Sequence, residues 1–143
     1  MFLGEYRHNL DGKGRVAVPA KFRDKLTAGA IITRGLDQCL FVFTLAEWES
    51  LAQKLMALPL AQANSRAFVR LMMAGAANVD IDAQGRILVP DYLRNYAHLK
   101  KEAVLTGLYN RIEVWDSETW ERYKQKTEGA SDDIAEKLGE LGI

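Results

Sequence analysis

Cysteine and histidine are scarce in this chain of 143 residues, which has the single Cys39 and two histidines, His8 and His98. One cysteine cannot form an internal disulfide, and such sparing use fits a reducing compartment. Three such side chains are also too few for the usual four-ligand zinc site within one chain. We therefore expect a cytoplasmic protein without a disulfide or a structural metal.

Long apolar segments are missing as well. No run approaches the roughly 20 residues that a membrane-spanning helix needs, and the N-terminus lacks the basic start and apolar stretch of a secretory signal. Hydrophobic residues nevertheless make up 48% of the chain, and 27% of the residues are charged. This balance is typical of a soluble domain with a packed core, and it predicts no contact with a membrane.

Charge of one sign is not in excess, because 19 basic and 19 acidic residues give a net charge of zero. The distribution is uneven, however. Residues 1–34 contain seven Lys or Arg and three Asp or Glu, whereas residues 116–143 contain four and eight. The N-terminal part can therefore attract an anion such as nucleic acid, although soluble proteins of other kinds also show such asymmetry.

What the chain does contain is an internal repeat. A shift of 71 residues superposes the segment 10–23, LDGKGRVAVPAKFR, on the segment 81–94, IDAQGRILVPDYLR. Both have Asp-x-x-Gly-Arg, then Pro four residues later, then Arg four residues after the Pro. With one inserted residue the match extends through a Trp-Glu pair in each copy. These thirteen ordered identities indicate a tandem duplication, with repeats near residues 5–56 and 76–127.

Each repeat is predicted to contain the same elements. A strand leads into the Asp-x-x-Gly turn, a second strand follows, and Pro19 or Pro90 ends that strand at the first position of a short helix. Two further strands and a longer helix complete the repeat. Thr44 and Asp116 are predicted to cap the longer helices, and an apolar stripe in the first of them extends to Leu58.

A repeat of about 50 residues buries little apolar surface and is marginal by itself. We therefore expect the two repeats to share a core, or the chain to oligomerise, or both. The predicted division is a first module at residues 1–58, a helical linker at 59–75, a second module at 76–127 and an acidic tail at 128–143. The tail is predicted to form a weak helix.

The repeated turn matches no metal or phosphate site. As a calcium loop, the second copy would have Asp91 where a bidentate Glu belongs, and the first would have Lys13 at a ligand position. A P-loop needs Gly-x4-Gly-Lys before Ser or Thr, which GKGR does not provide. Cys39 lies in an apolar run and is predicted to be a buried small hydrophobe. We therefore expect no metal, no cofactor and no enzymatic activity.

Aspartate and glycine are predicted to shape the two turns. The Asp11 and Asp82 side chains can accept backbone N–H bonds, and Gly14 and Gly85 allow a positive φ. These four residues are therefore predicted to have a structural role.

Arg15 and Arg86 leave the turns and have two interpretations. Each arginine closes its turn by pairing with its own aspartate, or each presents a guanidinium at a hairpin tip to a phosphate or a guanine edge. Lys13 and the following Lys21 favour contact with DNA in the first repeat, whereas Gln84 makes the second repeat less basic. These five residues are the predicted DNA-binding residues.

The pattern Asp-x-x-Gly-Arg-Val-x-Val-Pro-x-x-Phe-Arg resembles the DNA-binding half of AbrB-like transition-state regulators. Two copies in one chain of this length, each followed by strands and a Trp-Glu helix, resemble the MraZ family over all but about the last dozen residues. The resemblance implies an α+β fold. The fold consists of two tandem AbrB-like modules, which are swapped-hairpin, double-psi-like β-barrels. The two modules share a core and exchange hairpins, and helices pack against them.

The resemblance also implies a function. By its resemblance to MraZ proteins, the chain is expected to be a bacterial transcriptional regulator of the division and cell-wall gene cluster. It is expected to bind short G-rich direct repeats in its own promoter as a ring-shaped homo-oligomer. The family's arginine role carries over to Arg15 and Arg86, and its turn-forming aspartate to Asp11 and Asp82. The expected partners are double-stranded DNA and further copies of the chain, and the expected location is the nucleoid within the cytoplasm.

Two other functions stay open at this point. One is a self-assembling ring scaffold that binds no nucleic acid, and the other is an AbrB-type antitoxin. A scaffold gives no reason to place Lys13 and Arg15 together on an exposed turn. An antitoxin predicts a single module with a disordered toxin-binding tail. Both patterns therefore favour the DNA-binding hypothesis.

Overall fold

The computed structural model describes residues 1–142, and its secondary structure follows the two repeats. The first repeat forms β1 (Phe2–Asn9), β2 (Arg15–Ala17), α1 (Ala20–Arg23), β3 (Ala30–Arg34), β4 (Leu40–Thr44) and α2 (Leu45–Met56). The connecting helix is α3 (Ala63–Ala74). The second repeat forms β5 (Ala77–Val79), β6 (Arg86–Leu88), α4 (Asp91–Tyr96), β7 (Glu102–Tyr109), β8 (Ile112–Asp116) and α5 (Ser117–Gly129). The tail forms α6 (Ser131–Leu138), and short 3-10 helices occupy Asp24–Leu26 and Gly139–Leu141.

Six strands form one antiparallel sheet in the order β1-β7-β8-β4-β3-β5. The first strand of each repeat pairs with the third strand of the other repeat: β1 with β7, and β5 with β3. The two repeats meet at the centre of the sheet, where β4 pairs with β8. The fold is therefore α+β, and the two repeats exchange strands within one chain.

The remaining two strands form a short antiparallel ribbon between the repeats. In this ribbon of β2 and β6, Val16 is opposite Ile87. The ribbon is extended at each end, where the Val18 N–H donates to the Gly85 carbonyl and the Val89 N–H to the Gly14 carbonyl, both at 2.9 Å. Within residues 1–142 these pairings make an open sheet and a ribbon, and closure into a barrel stays a prediction.

The core is shared by both repeats, as predicted. Successive residues of a strand point to opposite faces of a sheet. Leu40 and Val42 of β4 accordingly join a large cluster with the ribbon and the short helices, to which Phe22 and Leu93 contribute from the two repeats. Burial of one such side chain stabilises the fold by roughly 1.5–3 kcal/mol. Neither repeat can therefore keep this core without the other.

The opposite face of the sheet is covered by helices. Phe41 and Phe43, which alternate with the previous pair along β4, pack with Met72 of α3 and Trp115 of β8. The Thr33 hydroxyl donates to the Met72 carbonyl at 2.6 Å, which fixes α3 to the sheet. Cys39 is completely buried in this second cluster, as predicted, and burial raises the pKa of its thiol.

The predicted caps of the long helices are confirmed. The Thr44 hydroxyl accepts from the Glu47 N–H at 3.1 Å, and the Asp116 carboxylate accepts from the Thr119 N–H at 3.3 Å. The helix after Thr44 ends at Met56, however. The predicted stripe therefore does not reach Leu58, which lies outside the helix and is exposed.

The prolines differ from their predicted position by one residue. Pro19 has φ −50° and ψ 138°, and Pro90 has φ −55° and ψ 147°. An extended ψ places each proline immediately before the helix rather than at its first position. The reason is that each proline also continues the path of the ribbon strand, which needs an extended backbone. None of the described helices has the length and apolar character to span a membrane.

Candidate nucleic-acid interface

The first turn is built by the side chain of Asp11. Its Oδ1 atom accepts from the backbone N–H groups of Lys13 and Arg15, both at 2.9 Å. The Gly14 N–H donates to the Asp11 carbonyl at 3.1 Å, and Gly14 has φ 85°. This left-handed conformation favours glycine. The Asp11 side chain and the Gly14 backbone therefore both bond within this turn.

The second turn repeats this geometry with different exposed residues. The Asp82 Oδ1 atom accepts from the backbone N–H groups of Gln84 and Arg86 at 2.9 Å. The Gly85 N–H donates to the Asp82 carbonyl at 2.9 Å, and Gly85 has φ 78°. Asp82 and Gly85 therefore make the same contacts as their counterparts in the first turn.

The two arginines converge on one carboxylate. Arg15 Nε donates to Asp11 Oδ2 at 2.6 Å, and Arg86 Nε donates to Asp82 Oδ2 at 3.0 Å. Arg86 Nη1 also lies 3.5 Å from Asp11 Oδ2. The ribbon thus brings Arg15, Arg86 and both aspartates into one cluster at the surface, although 71 residues separate the two turns in sequence.

Hydrogen bonds hold the pKa values of both turn aspartates below their usual range. The backbone N–H of Arg15 and its guanidinium lower the pKa of Asp11 to about 2. The backbone N–H groups of Arg86 and Gln84 lower the pKa of Asp82 in the same way. Both carboxylates are therefore negative at neutral pH, and they orient the arginines by charge as well as by hydrogen bonds.

Each turn glycine is covered by an arginine from the other repeat. The Arg94 guanidinium lies against Gly14, and the Arg23 guanidinium lies against Gly85, so closely that a Cβ atom at either glycine would collide with it. Arg23 Nε donates to the Val18 carbonyl at 2.8 Å, and Arg94 Nη1 donates to the equivalent Val89 carbonyl. Each of these two arginines therefore packs against the turn of the other repeat.

One face of the ribbon is open to solvent. Val16 and Ile87 point into the core, so the neighbouring Arg15, Arg86 and Leu88 lie on the outer face. The two arginine side chains are about one third exposed, at 32% and 27%, and Leu88 is 52% exposed. The outer face therefore combines two guanidinium groups with an apolar side chain.

The other predicted DNA-binding residues are exposed around this ribbon. Lys13 and Gln84 occupy equivalent positions in the two turns, and Lys21 follows in the short helix α1. Within the described chain, none of these three side chains has a hydrogen-bond or ion-pair partner. They are therefore available to a ligand that approaches the turns, which distinguishes them from Arg23.

The prediction of a hairpin tip needs correction. β1 pairs with β7, and β2 pairs with β6, so the strands on either side of the first turn belong to different sheets. The turn is closed locally by the bond from the Asp11 N–H to the Arg15 carbonyl, at 3.0 Å. The exchange of strands between the repeats explains the difference, and it brings the two turns to one surface instead of two separate tips.

Sequence reasoning missed three residues of this surface. Arg23 and Arg94 occupy equivalent positions in the two repeats, and this identity indicates that they share one role. Their placement depends on the crossing of the two turns, which local patterns do not contain. Leu88 lies in a strand of apolar residues. Because it alternates with the buried Ile87, the strand pattern could have predicted that it is exposed.

The cluster can recognise an anion and a base edge together. Arg15 uses Nε for Asp11, while its two Nη groups have no hydrogen-bond partner in residues 1–142. A guanidinium presents two parallel donors that match the phosphate group or guanine O6 and N7. No group of three or more His, Cys, Asp or Glu side chains in this part of the chain is positioned to hold a metal ion.

Comparison with known proteins bears on this geometry. A family model described as "MraZ protein, putative antitoxin-like" matches residues 1–71 and again residues 72–140. The chain belongs to the MraZ family. The resemblance seen in the two turn motifs is thus confirmed over nearly the whole length, and the double match agrees with a tandem duplication.

Full-length relatives support the same assignment. Three proteins with the name "Transcriptional regulator MraZ" align over all 143 residues of this chain and over their own full length. They come from Pediococcus pentosaceus, with 50% identity, from Desulfitobacterium hafniense, with 51%, and from Halothermothrix orenii, with 49%. No part of these three relatives lies outside the alignment with this chain.

Proposed function

We propose that this MraZ-family protein is a sequence-specific DNA-binding regulator of transcription. It binds short G-rich direct repeats in its own promoter as a ring-shaped homo-oligomer, and it acts on the division and cell-wall gene cluster at the nucleoid. The name of its relatives supports the regulatory role. The observation that carries the proposal is the convergence of the two turns, where Arg86 Nη1 lies 3.5 Å from the carboxylate that orients Arg15.

The β2–β6 ribbon is the element that reads the DNA. The major groove admits a two-stranded β-ribbon. Arg15 and Arg86 point outward from the ribbon and donate to guanine edges, while Leu88, opposite Arg15, makes an apolar contact. The basic and polar side chains around the ribbon bind phosphates or bases. The complete set of proposed contacts from the two turns and α1 is Arg15, Lys13, Arg86, Lys21 and Gln84.

One module pair is too weak for specific binding by itself. A good bidentate contact is worth roughly 1–3 kcal/mol of discrimination. A ring presents several ribbons at once, so binding to consecutive DNA boxes becomes largely intramolecular, with a gain of roughly 100-fold or more where the spacing fits. Repeated boxes in the promoter therefore correspond to repeated ribbons in the ring.

The proposal assigns a role to each part of the chain. Residues 1–58 and 76–127 are the two AbrB-like modules, which close into swapped-hairpin barrels around their common core. Residues 59–75 link them, and the acidic residues 128–143 lie away from DNA. A tail with four acidic and one basic residue between positions 131 and 140 weakens non-specific binding, because it repels phosphate.

A mobility-shift titration tests this function. The probe is the duplex from upstream of the protein's own gene, and the matched control is the same duplex with its repeated boxes shuffled. We expect a discrete shift with the natural duplex, and binding at least tenfold weaker with the shuffled one. Equal binding to both duplexes, or to neither, would contradict the proposal.

The alternatives predict other outcomes of the same experiment. A ring scaffold forms an oligomer and shifts neither duplex. An antitoxin needs a toxin partner, and the words "antitoxin-like" in the description of the family model keep this second candidate open. Copurification of a stable second protein that blocks the DNA shift would favour it over the regulator.

A further inference from the structure

A groove between α2 and α3 exposes apolar side chains that nothing in the described chain covers. It has a volume of about 350 Å³ and is lined on one side by the end of α2 and the following loop, and on the other by α3. Met56 and Leu60 are 63% and 82% exposed. Surface patches of this kind, with polar residues around them, mark interaction sites.

The charge of this groove is of one sign. Arg66 and Arg70 line it on the α3 side, and no carboxylate is among the residues that line it. Arg66 Nη1 donates to two backbone carbonyls of the loop, at 3.2 Å each, and so holds the wall of the groove. Arg70 has no ion-pair partner in residues 1–142. A fitting occupant is therefore an apolar segment with acidic neighbours.

The helix α6 has those properties. Ile134 and Leu138 are four residues apart and therefore lie on one side of α6, and Leu141 follows in the 3-10 helix after it. All three are exposed, and no residue of α6 is buried. The helix also contains Asp132, Asp133 and Glu136 against the single Lys137, which pairs with Asp133 at 3.3 Å, so its net charge is negative.

The same chain does not bring these two surfaces together. Every residue that lines the groove lies between positions 55 and 70, so α6 is not part of its wall. Two grooves facing each other would bring together the arginines Arg66 and Arg70 of both copies, and two α6 helices would bring together six carboxylates. Groove against α6 is the pairing that joins opposite charges, and it requires a second copy.

We infer that α6 of one protomer docks in the α2–α3 groove of the next. This contact joins two different surfaces, so it repeats head to tail and closes into a ring when the rotation between protomers permits. The inference rests on the proposed ring and names the surfaces that form it. It also accounts for the apolar stripe of a tail that contributes nothing to the protomer core.

Two variants with exposed substitutions test the inference by sedimentation. The tail variant is Ile134→Asp with Leu138→Asp, and the groove variant is Leu60→Asp with Arg70→Glu. We expect the wild type to be a large oligomer and each variant to be a monomer. The matched control is Leu45→Asp, another exposed leucine, at the first residue of a helix where a negative charge is tolerated. It should keep the wild-type mass.

An equimolar mixture of the two variants gives the decisive result. One chain has an intact groove and the other an intact tail, so the mixture can make one contact but no second. We expect a heterodimer of twice the protomer mass and no larger species. A mixture that stays monomeric, a wild type that is monomeric, or variants that keep the wild-type mass would overturn the inference.

The DNA-binding hypothesis is tested separately in the same proteins. The tail variant should bind a single-box duplex as tightly as the wild type does, since the ribbon is untouched. On a duplex with several boxes it should bind roughly 100-fold more weakly, because the gain from a ring is lost. If no protein in the series binds DNA, the proposed function fails, while the masses still decide the docking contact.

Discussion

The two turns have the same backbone geometry but different exposed side chains. In both, an aspartate accepts two backbone N–H bonds at 2.9 Å, and the glycine has a positive φ. In both, an arginine of the other repeat covers that glycine. The differences lie at the surface, where Lys13 corresponds to Gln84 and the small Ala17 corresponds to Leu88.

This comparison separates shape from chemistry. The Asp and Gly residues that determine the path of the backbone are identical in the two copies, whereas the surface positions 13 and 17 differ from their counterparts 84 and 88. The arginines also differ in their surroundings. Arg86 contacts the carboxylates of both Asp82 and Asp11, whereas Arg15 contacts only that of Asp11. Arg15 therefore has more of its charge available for DNA.

The largest expected effect follows from the loss of Arg15. Arg15→Ala should weaken binding to a single-box duplex by roughly 10- to 100-fold, the range of one bidentate contact. Its melting temperature should stay close to that of the wild type, because a partly exposed ion pair contributes little to stability. Normal binding by a folded variant, or an unfolded variant, would show that the DNA role assigned to Arg15 is wrong.

The equivalent change in the second turn should have a smaller effect. Arg86→Ala removes an arginine whose charge is already balanced by two carboxylates and whose neighbours are less basic. We expect a loss of affinity several times smaller than that of Arg15→Ala in the same titration. An equal or larger loss would reverse the ranking of the two turns.

The turns themselves could be predicted from sequence, because Asp and Gly act within four residues. The caps of the long helices could be predicted for the same reason, whereas the α+β fold was implied by the resemblance to a known family. The meeting of the turns could not be derived from local patterns, since it depends on β2 pairing with β6 across the chain. The same holds for Arg23. The sequence shows that this residue is basic, but its contact with Gly85 depends on the pairing of strands from the two repeats.

An exchange of the exposed residues Lys13 and Gln84 tests whether the two turns contact DNA in the same way. Lys13→Gln should weaken binding several-fold and reduce the salt slope by about 0.9, the value of one phosphate contact. Gln84→Lys should strengthen binding by a similar factor. The double exchange should restore wild-type affinity. If the double variant binds like Lys13→Gln alone, the second turn makes no phosphate contact.

The smallest effects concern stability. Asp11→Ala and Asp82→Ala should each lower the melting temperature by a few degrees at pH 7, since each loses two backbone hydrogen bonds. The folded pKa of Asp11 lies below its ordinary value of 3.8, at about 2. Its contribution is therefore complete above pH 4 and is lost as the pH falls toward 2. Thermal melts of wild type and Asp11→Ala should accordingly converge at low pH.

DNA binding by these two variants shows whether each aspartate only holds its turn or also contacts DNA directly. We expect both aspartate variants to keep measurable binding, because their role is to hold the turn and its arginine. If Asp11→Ala melted like the wild type at pH 7 and yet failed to bind DNA, Asp11 would have a direct contact with the ligand. A melting difference that persisted unchanged at pH 2 would contradict the lowered pKa.

The central claim is that several ribbons of one assembly bind consecutive DNA boxes, and a salt titration tests it most directly. Affinity is measured over a range of salt concentrations on duplexes with one, two, three and four boxes. Each phosphate contact contributes about −0.9 to the slope of log affinity against log salt. Three or four boxes should involve about six or more contacts and a slope of at least about −5, whereas one box should give a much shallower slope. A slope near −2 that stays the same across the series would mean that a single ribbon pair binds alone, which would contradict the account.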